Sequence, residues 1–187
     1  MTELASPRQL RAAFLRWCLV LIPGILLLGF LSGAAAGSGP RNVWFAALTK
    51  PPLYPPPVTF AYAWSALYVL MGLALTLVVS SPGARWRRLA IVAFALQLTL
   101  NLAWSPLFFA AHRIMAGLIL LGVLDVAVAA CIVLFALVRP LAAALLVPYL
   151  AWILFATLLN WQFLTLNPDA DGQFDSGVGV RIQLGGV

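Results

Sequence analysis

The side chains of this sequence that combine rings with hydrogen-bonding groups recur at helical spacing. Gln97, Asn101, Trp104 and Phe108 stand at i, i+4, i+7 and i+11, and Tyr149, Trp152, Ala156, Asn160 and Phe163 share one face in the same way. Phe60, Trp64, Tyr68 and Met71 form a third set. Three faces with large rings and a few amides are what a pocket for a flat, greasy, partly polar ligand requires, because rings stack on its faces and amides fix its edges. Packing between helices is the other reading of the same stripes, and periodicity alone favours it. Asn101 and Asn160 would then hydrogen-bond across helices, worth about 0.6 to 2 kcal/mol each.

Other reactive groups are few. Asp125 is the one carboxylate inside an apolar run, where an ionised side chain costs at least about 2.5 to 3.5 kcal/mol. A neutral, hydrogen-bonding Asp125 is therefore expected, ahead of a proton relay, which would call for further ionisable groups beside it. His112 falls at a helix end beside Arg113 and reads as an interfacial group and not as a haem-iron ligand. Cys18 and Cys131 lie in apolar runs and behave as small hydrophobes. Asp169-x-Asp171-Gly172 lacks the twelve-residue ligand pattern of a calcium loop, so a flexible tail is expected there. There are no paired carboxylates, nucleotide loop or metal-ligand spacing, hence no enzyme constellation and no metal site.

The elements that must position these groups are membrane spans. Of 187 residues 64% are hydrophobic and 9% charged, against about 25% charged in a soluble domain, and the mean hydropathy is +1.03. An all-α integral membrane bundle follows, with apolar runs at 17–36, 60–80, 89–111, 114–138 and 141–166, each long enough to cross a bilayer. Residues 1–16 form a basic tail and 17–166 the five-helix domain. The proline-rich connection 37–58 is long, and 167–187 reads as a glycine-rich tail. Ser81-Pro82-Gly83, His112-Arg113 and Arg139-Pro140 make tight turns, which force antiparallel neighbours. Arg8, Arg11 and Arg16 before an apolar stretch ending in Ala34, Ala35 and Ala36 imitate a signal sequence, but the run is long enough to span and is read as the first span.

The net charge of +6 comes from scattered basic residues without an extended basic face, so nucleic acid is not expected as a partner. Arg8, Arg11, Arg16, Arg85, Arg87, Arg88 and Arg139 fall on one side of the spans, and Arg41, Lys50, Arg113 and Arg181 on the other. The positive-inside rule then puts the amino terminus in the cytoplasm. Trp17, Trp44 and Trp86 lie near span ends and read as headgroup anchors. Gly29, Gly33 and Gly37 repeat every four residues, a smooth groove for close helix approach within the bundle or in a dimer.

Four ordered motifs resemble the tryptophan-rich sensory protein / translocator protein family (TspO / peripheral benzodiazepine receptor). They are Leu48-x-Lys50-Pro51 with Pro55-Pro56; Phe60-x-x-x-Trp64-x-x-Leu67-Tyr68-x-x-Met71-Gly72; Gln97-x-x-x-Asn101-x-x-Trp104-Ser105-Pro106-x-Phe108-Phe109 leading to His112-Arg113; and Pro148-Tyr149-Leu150-Ala151-Trp152 with Phe155-Ala156-Thr157-x-x-Asn160. The resemblance implies a five-helix bundle, usually a homodimer, whose first loop folds as a lid over a cavity for porphyrins such as protoporphyrin IX. By the same resemblance Trp64, Tyr68, Asn101, Trp104, Phe108, Trp152 and Ala156 line that cavity. Bacterial members are tied to tetrapyrrole homeostasis and stress responses, which implies a bacterial membrane and a porphyrin held as ligand, with no cofactor required.

Two departures stand out. Pro52 and Leu53, then Tyr54, follow Lys50-Pro51 where the family commonly has a Trp. The stretch Asn160-Trp161-Gln162-Phe163-Leu164-Thr165 has neither the Tyr nor the basic residue of the animal members' cholesterol pattern, so cholesterol is not supported as a partner. The leading expectation is a tetrapyrrole receptor or carrier. Light-dependent porphyrin breakdown, with Trp64 or Trp152 exchanging an electron with the excited ring, and a scaffold acting through its dimer are the alternatives.

Overall fold

The computed structural model describes residues 7–173, and all of their regular structure is helical. Five helices are long and apolar enough to cross a membrane, which makes the chain an integral multi-pass membrane protein. They are α1 (Pro7–Ala35), α3 (Pro57–Val79), α4 (Arg87–Ser105), α5 (Ile114–Ala136) and α6 (Pro140–Leu166); a short helix, α2 (Val43–Ala47), lies in the long first loop.

The boundaries follow local chemistry. Pro57 and Pro140 open α3 and α6 at the first turn, where a missing N–H costs nothing. Gly37 and Gly39 take positive φ just past α1, and Gly83 does so between α3 and α4, conformations that a Cβ disfavours. Helix α1 begins ten residues before the expected span, so residues 7–16 are helix and not tail. The glycine repeat is also corrected: Gly29 and Gly33 lie in α1, whereas Gly37 is a turn residue beyond its end.

Around the bundle α1 packs on α3, α3 on α6, α6 on α5 and α5 on α4, with lighter α1–α4 and α3–α4 contacts closing the ring. The inner residues of these helices form one apolar cluster, including Met71, Leu124, Val128, Phe135 and Ile153. Leucines and valines such as Leu19, Val92, Val126 and Leu141 stay more than half exposed, as a lipid-facing surface requires.

Helix α4 does not end at Ser105. It continues into a π-helical turn, Pro106–Ala110, closed by a bond from the Ala111 N–H to the Pro106 carbonyl at 2.9 Å. The wider turn brings the adjacent residues Phe108 and Phe109 both inward, at 1% and 9% exposure. His112 then takes φ 55° and turns the chain sharply into α5.

Candidate functional site

A cavity of about 470 Å³ opens inside the lid end of the bundle. Its walls come from α1, α3, α4 with its π turn, α5 and α6, and its cover from the first loop. On α3, Trp64 stacks on Tyr68 with centroids 5.2 Å apart, and the Tyr68 hydroxyl donates to Asn101 Oδ1 at 3.2 Å. The ring of Tyr68 lies against Gly29 of α1, where no side chain would fit. Trp104 stacks on Phe108 at 4.9 Å and its indole Nε1 donates to Asn160 Oδ1 at 3.2 Å. Asn160 in turn donates through Nδ2 to the Ile114 carbonyl at 2.9 Å, which fixes its amide and, through it, the Trp104 ring. Trp152 stands edge-on to Phe60 at 5.8 Å. Ala156, one helical turn from Trp152, leaves the space beside that indole open.

The lid is held by specific bonds. Asn42 caps α2 through Oδ1 on the Phe45 N–H and donates through Nδ2 to the Phe109 carbonyl at 3.1 Å. Phe45 is buried among Phe108, Phe109, Phe163 and Tyr54, with centroids 5.1 to 6.2 Å away. Lys50 donates to the Phe45 and Leu48 carbonyls, and its ammonium sits 4.2 Å above the Phe45 ring. Burial pulls the Lys50 ammonium below the ordinary lysine range and pushes the Tyr54 phenol up.

Residues 167–173 are not a free tail. The Asn167 side chain makes a two-way clip with the backbone of Thr49, at 2.7 and 3.0 Å, and the Trp44 indole donates to the Ala170 carbonyl at 3.3 Å. The Gly172 N–H donates to the His112 carbonyl at 2.7 Å, and Asp171 Oδ1 accepts from the Met115 N–H at 3.2 Å. Asp171 therefore serves the start of α5, where a carboxylate is favoured. The expected flexibility is corrected for 167–173; residues 174–187 and 1–6 lie outside the described residues. Trp44, expected as a headgroup anchor, stacks on His112 at 4.5 Å and 13° and closes the lid against the tail.

All seven expected site residues, Trp64, Tyr68, Asn101, Trp104, Phe108, Trp152 and Ala156, line this one cavity. Of the other stripe members Phe60, Asn160 and Phe163 line it as well, whereas Gln97, Met71 and Tyr149 do not. Gln97 is 1% exposed and accepts from the Tyr149 hydroxyl at 2.9 Å, and Met71 is fully buried, so both belong to the core below. Phe45, Tyr54 and Phe109 line the cavity without having been expected there. Tyr54 was the one with a signal: it is the aromatic that follows Lys50-Pro51, and it reaches Phe60 and Phe163 while Leu53 points out at 53% exposure.

Asp125 lies outside the cavity, between α5 and α6. Thr157 Oγ1 stands 2.9 Å from Asp125 Oδ2 and 2.9 Å from the Ile153 carbonyl. A hydroxyl has one hydrogen, so a protonated Asp125 that donates to Thr157 Oγ1 would satisfy both contacts at once, in keeping with the neutral carboxyl expected inside a span. Among the described residues no group of three or more His, Cys, Asp or Glu lies close enough to hold a metal ion.

Five spanning helices around an aromatic cavity covered by the first loop define a helical, multi-pass membrane protein. The chain belongs to the TspO/MBR family, whose model matches residues 19–166. It is 36% identical over 154 residues to the tryptophan-rich protein TspO of Chlorobaculum tepidum, covering 80% of this chain and 96% of that protein. It is 37% identical over 147 residues to the tryptophan-rich sensory protein of Cereibacter sphaeroides (76% and 91%), and 39% identical over 137 residues to the human translocator protein (72% and 80%).

Proposed function

We propose that this chain is a membrane receptor or carrier for tetrapyrroles such as protoporphyrin IX, serving tetrapyrrole homeostasis and stress sensing. The observation that carries the reading is a cavity with three indoles, Trp64, Trp104 and Trp152, on its wall and a buried amide, Asn101, among them. Trp64 and Trp152 stack on the macrocycle and Asn101 hydrogen-bonds to its polar edge. The lid aromatics Tyr54 and Phe45 exclude water from the ring. Membership of a family whose relatives are named translocator and sensory proteins supports the reading. So does the make-up of the wall, which offers rings and amides.

The protein works as a homodimer in a bacterial membrane, with its amino terminus in the cytoplasm. The orientation rests on the seven arginines at the end of the bundle opposite the lid. The test is a titration of purified protein with protoporphyrin IX, followed by tryptophan quenching. A Trp64→Leu, Trp152→Leu variant is expected to bind at least about fivefold more weakly. Wild-type affinity in that variant overturns the assignment.

A further inference from the structure

A second groove, of about 620 Å³, opens at the end of the bundle away from the lid. It is bounded by the first turns of α1, the end of α3 and the turn before α6. Helix α1 has 29 residues, about 43 Å, against about 30 Å of bilayer hydrocarbon, so its first two or three turns stand at the level of the lipid headgroups. Leu10, Phe14 and Trp17, at i, i+4 and i+7, give the groove an apolar wall, and Leu77 of α3 extends it toward the hydrocarbon.

Its rim is polar and positive. Arg11 and Arg139 both border it. Arg139 is anchored through Nε, which donates to Ser81 Oγ at 3.0 Å, while Ser81 donates to the Leu77 carbonyl at 2.8 Å. That anchor fixes the plane of one guanidinium beside the groove. Ser80 and Pro82 also border it. The carboxylates among the described residues are Asp125 in mid-span and Asp169 and Asp171 at the lid end, so none of these neutralises the rim. Two guanidiniums above an apolar wall match a phosphate attached to acyl chains.

We propose that this groove is a binding site for one anionic phospholipid, with the phosphate between Arg11 and Arg139 and an acyl chain along Phe14 and Leu77. The site is separate from the aromatic cavity and does not depend on what that cavity holds.

The test is native mass spectrometry of the full chain released from detergent micelles, supplied with equal amounts of dioleoyl phosphatidylglycerol and dioleoyl phosphatidylcholine. Each guanidinium near the headgroup is expected to favour the anionic lipid about fivefold, so about 25-fold for the pair. Arg11→Gln, which breaks no hydrogen bond or ion pair within the described residues, is expected to lower that preference about fivefold, and Arg11→Gln, Arg139→Gln to abolish it. Arg85→Gln, Arg88→Gln removes the same charge away from the groove and is expected to keep the preference. Equal loss in both double variants would mean general charge attraction and overturns the site, as does an unselective wild type. Displacement of the lipid adduct by inorganic phosphate would show that the groove takes the free ion, and overturns the lipid assignment.

Discussion

Gly29→Ala adds one methyl group and no chemistry, yet it addresses the geometry on which the cavity rests. The new Cβ would lie 2.6 Å from the Tyr68 hydroxyl oxygen and closer still to the ring carbons beside it. Ordinary contact requires about 3.5 to 4 Å, so the ring must retreat by about 1 Å or more. Trp64 stacks on one side of that ring, Phe30 stands edge-on at 6.2 Å and Asn101 holds its hydroxyl, which leaves the cavity as the open direction. Retreat forces the side chain off its rotamer, about 0.5 to 1.5 kcal/mol, and gives up the bond to Asn101, about 0.6 to 1.7 kcal/mol in a membrane bundle. The sum, about 1 to 3 kcal/mol, falls on the shape that binds ligand, so protoporphyrin affinity should drop by roughly 5- to 150-fold. Gly33→Ala is the control. It also lines the cavity, but its Cβ would meet Ser38 at 3.8 Å, an ordinary contact, and its affinity should stay within about twofold of wild type. The assay is the tryptophan-quenching titration, with thermal unfolding alongside. Because the penalty acts through the ring, Tyr68→Leu and Gly29→Ala together should cost less than their separate effects added. Equal affinity in Gly29→Ala and wild type, or equal losses in Gly29→Ala and Gly33→Ala, would mean that the approach of Tyr68 to Gly29 does not shape the cavity.

Two further outcomes follow from named contacts. Lys50→Met removes two charge-assisted bonds and the cation over Phe45, so hydrogen exchange of the α2 amides should accelerate by at least tenfold while the α5 and α6 amides keep their rates. A protonated Asp125 between α5 and α6 should be modified by a lipid-soluble carbodiimide and not by a water-soluble one, and Asp125→Asn should abolish the labelling; modification by the water-soluble reagent alone would contradict the neutral carboxyl.

What the sequence makes legible here is whatever repeats along a helix or interrupts one. Apolar runs broken at Ser81-Pro82-Gly83, His112-Arg113 and Arg139-Pro140 give the spans to within a few residues, apart from the start of α1. There the arginines among residues 7–16 mask a helix that continues beyond the hydrocarbon. The 3.6-residue period brings Trp64 and Tyr68, Asn101 and Trp104, and Trp152 and Ala156 onto inward faces. It does not give depth: Gln97 and Asn101 share a face, but one partners Tyr149 in the core and the other Tyr68 at the cavity. The π turn at Pro106–Ala110 breaks the period itself, which is why Phe109 joins Phe108 unannounced. Lid and tail contacts, Phe45 under the π turn, Asn167 on Thr49 and Trp44 on His112, join segments far apart in the chain. They depend on tertiary geometry that no local pattern encodes.

The proposed seat of the tetrapyrrole is the lidded aromatic cavity. Ala156→Trp tests it most directly, because the added indole fills the open space beside Trp152 without removing any group that binds. Titrated with protoporphyrin IX beside wild type, and checked for an unchanged helical spectrum and unfolding temperature, the variant should bind no porphyrin where wild type binds one per chain. One porphyrin per chain at wild-type affinity in Ala156→Trp would place the ligand outside this cavity.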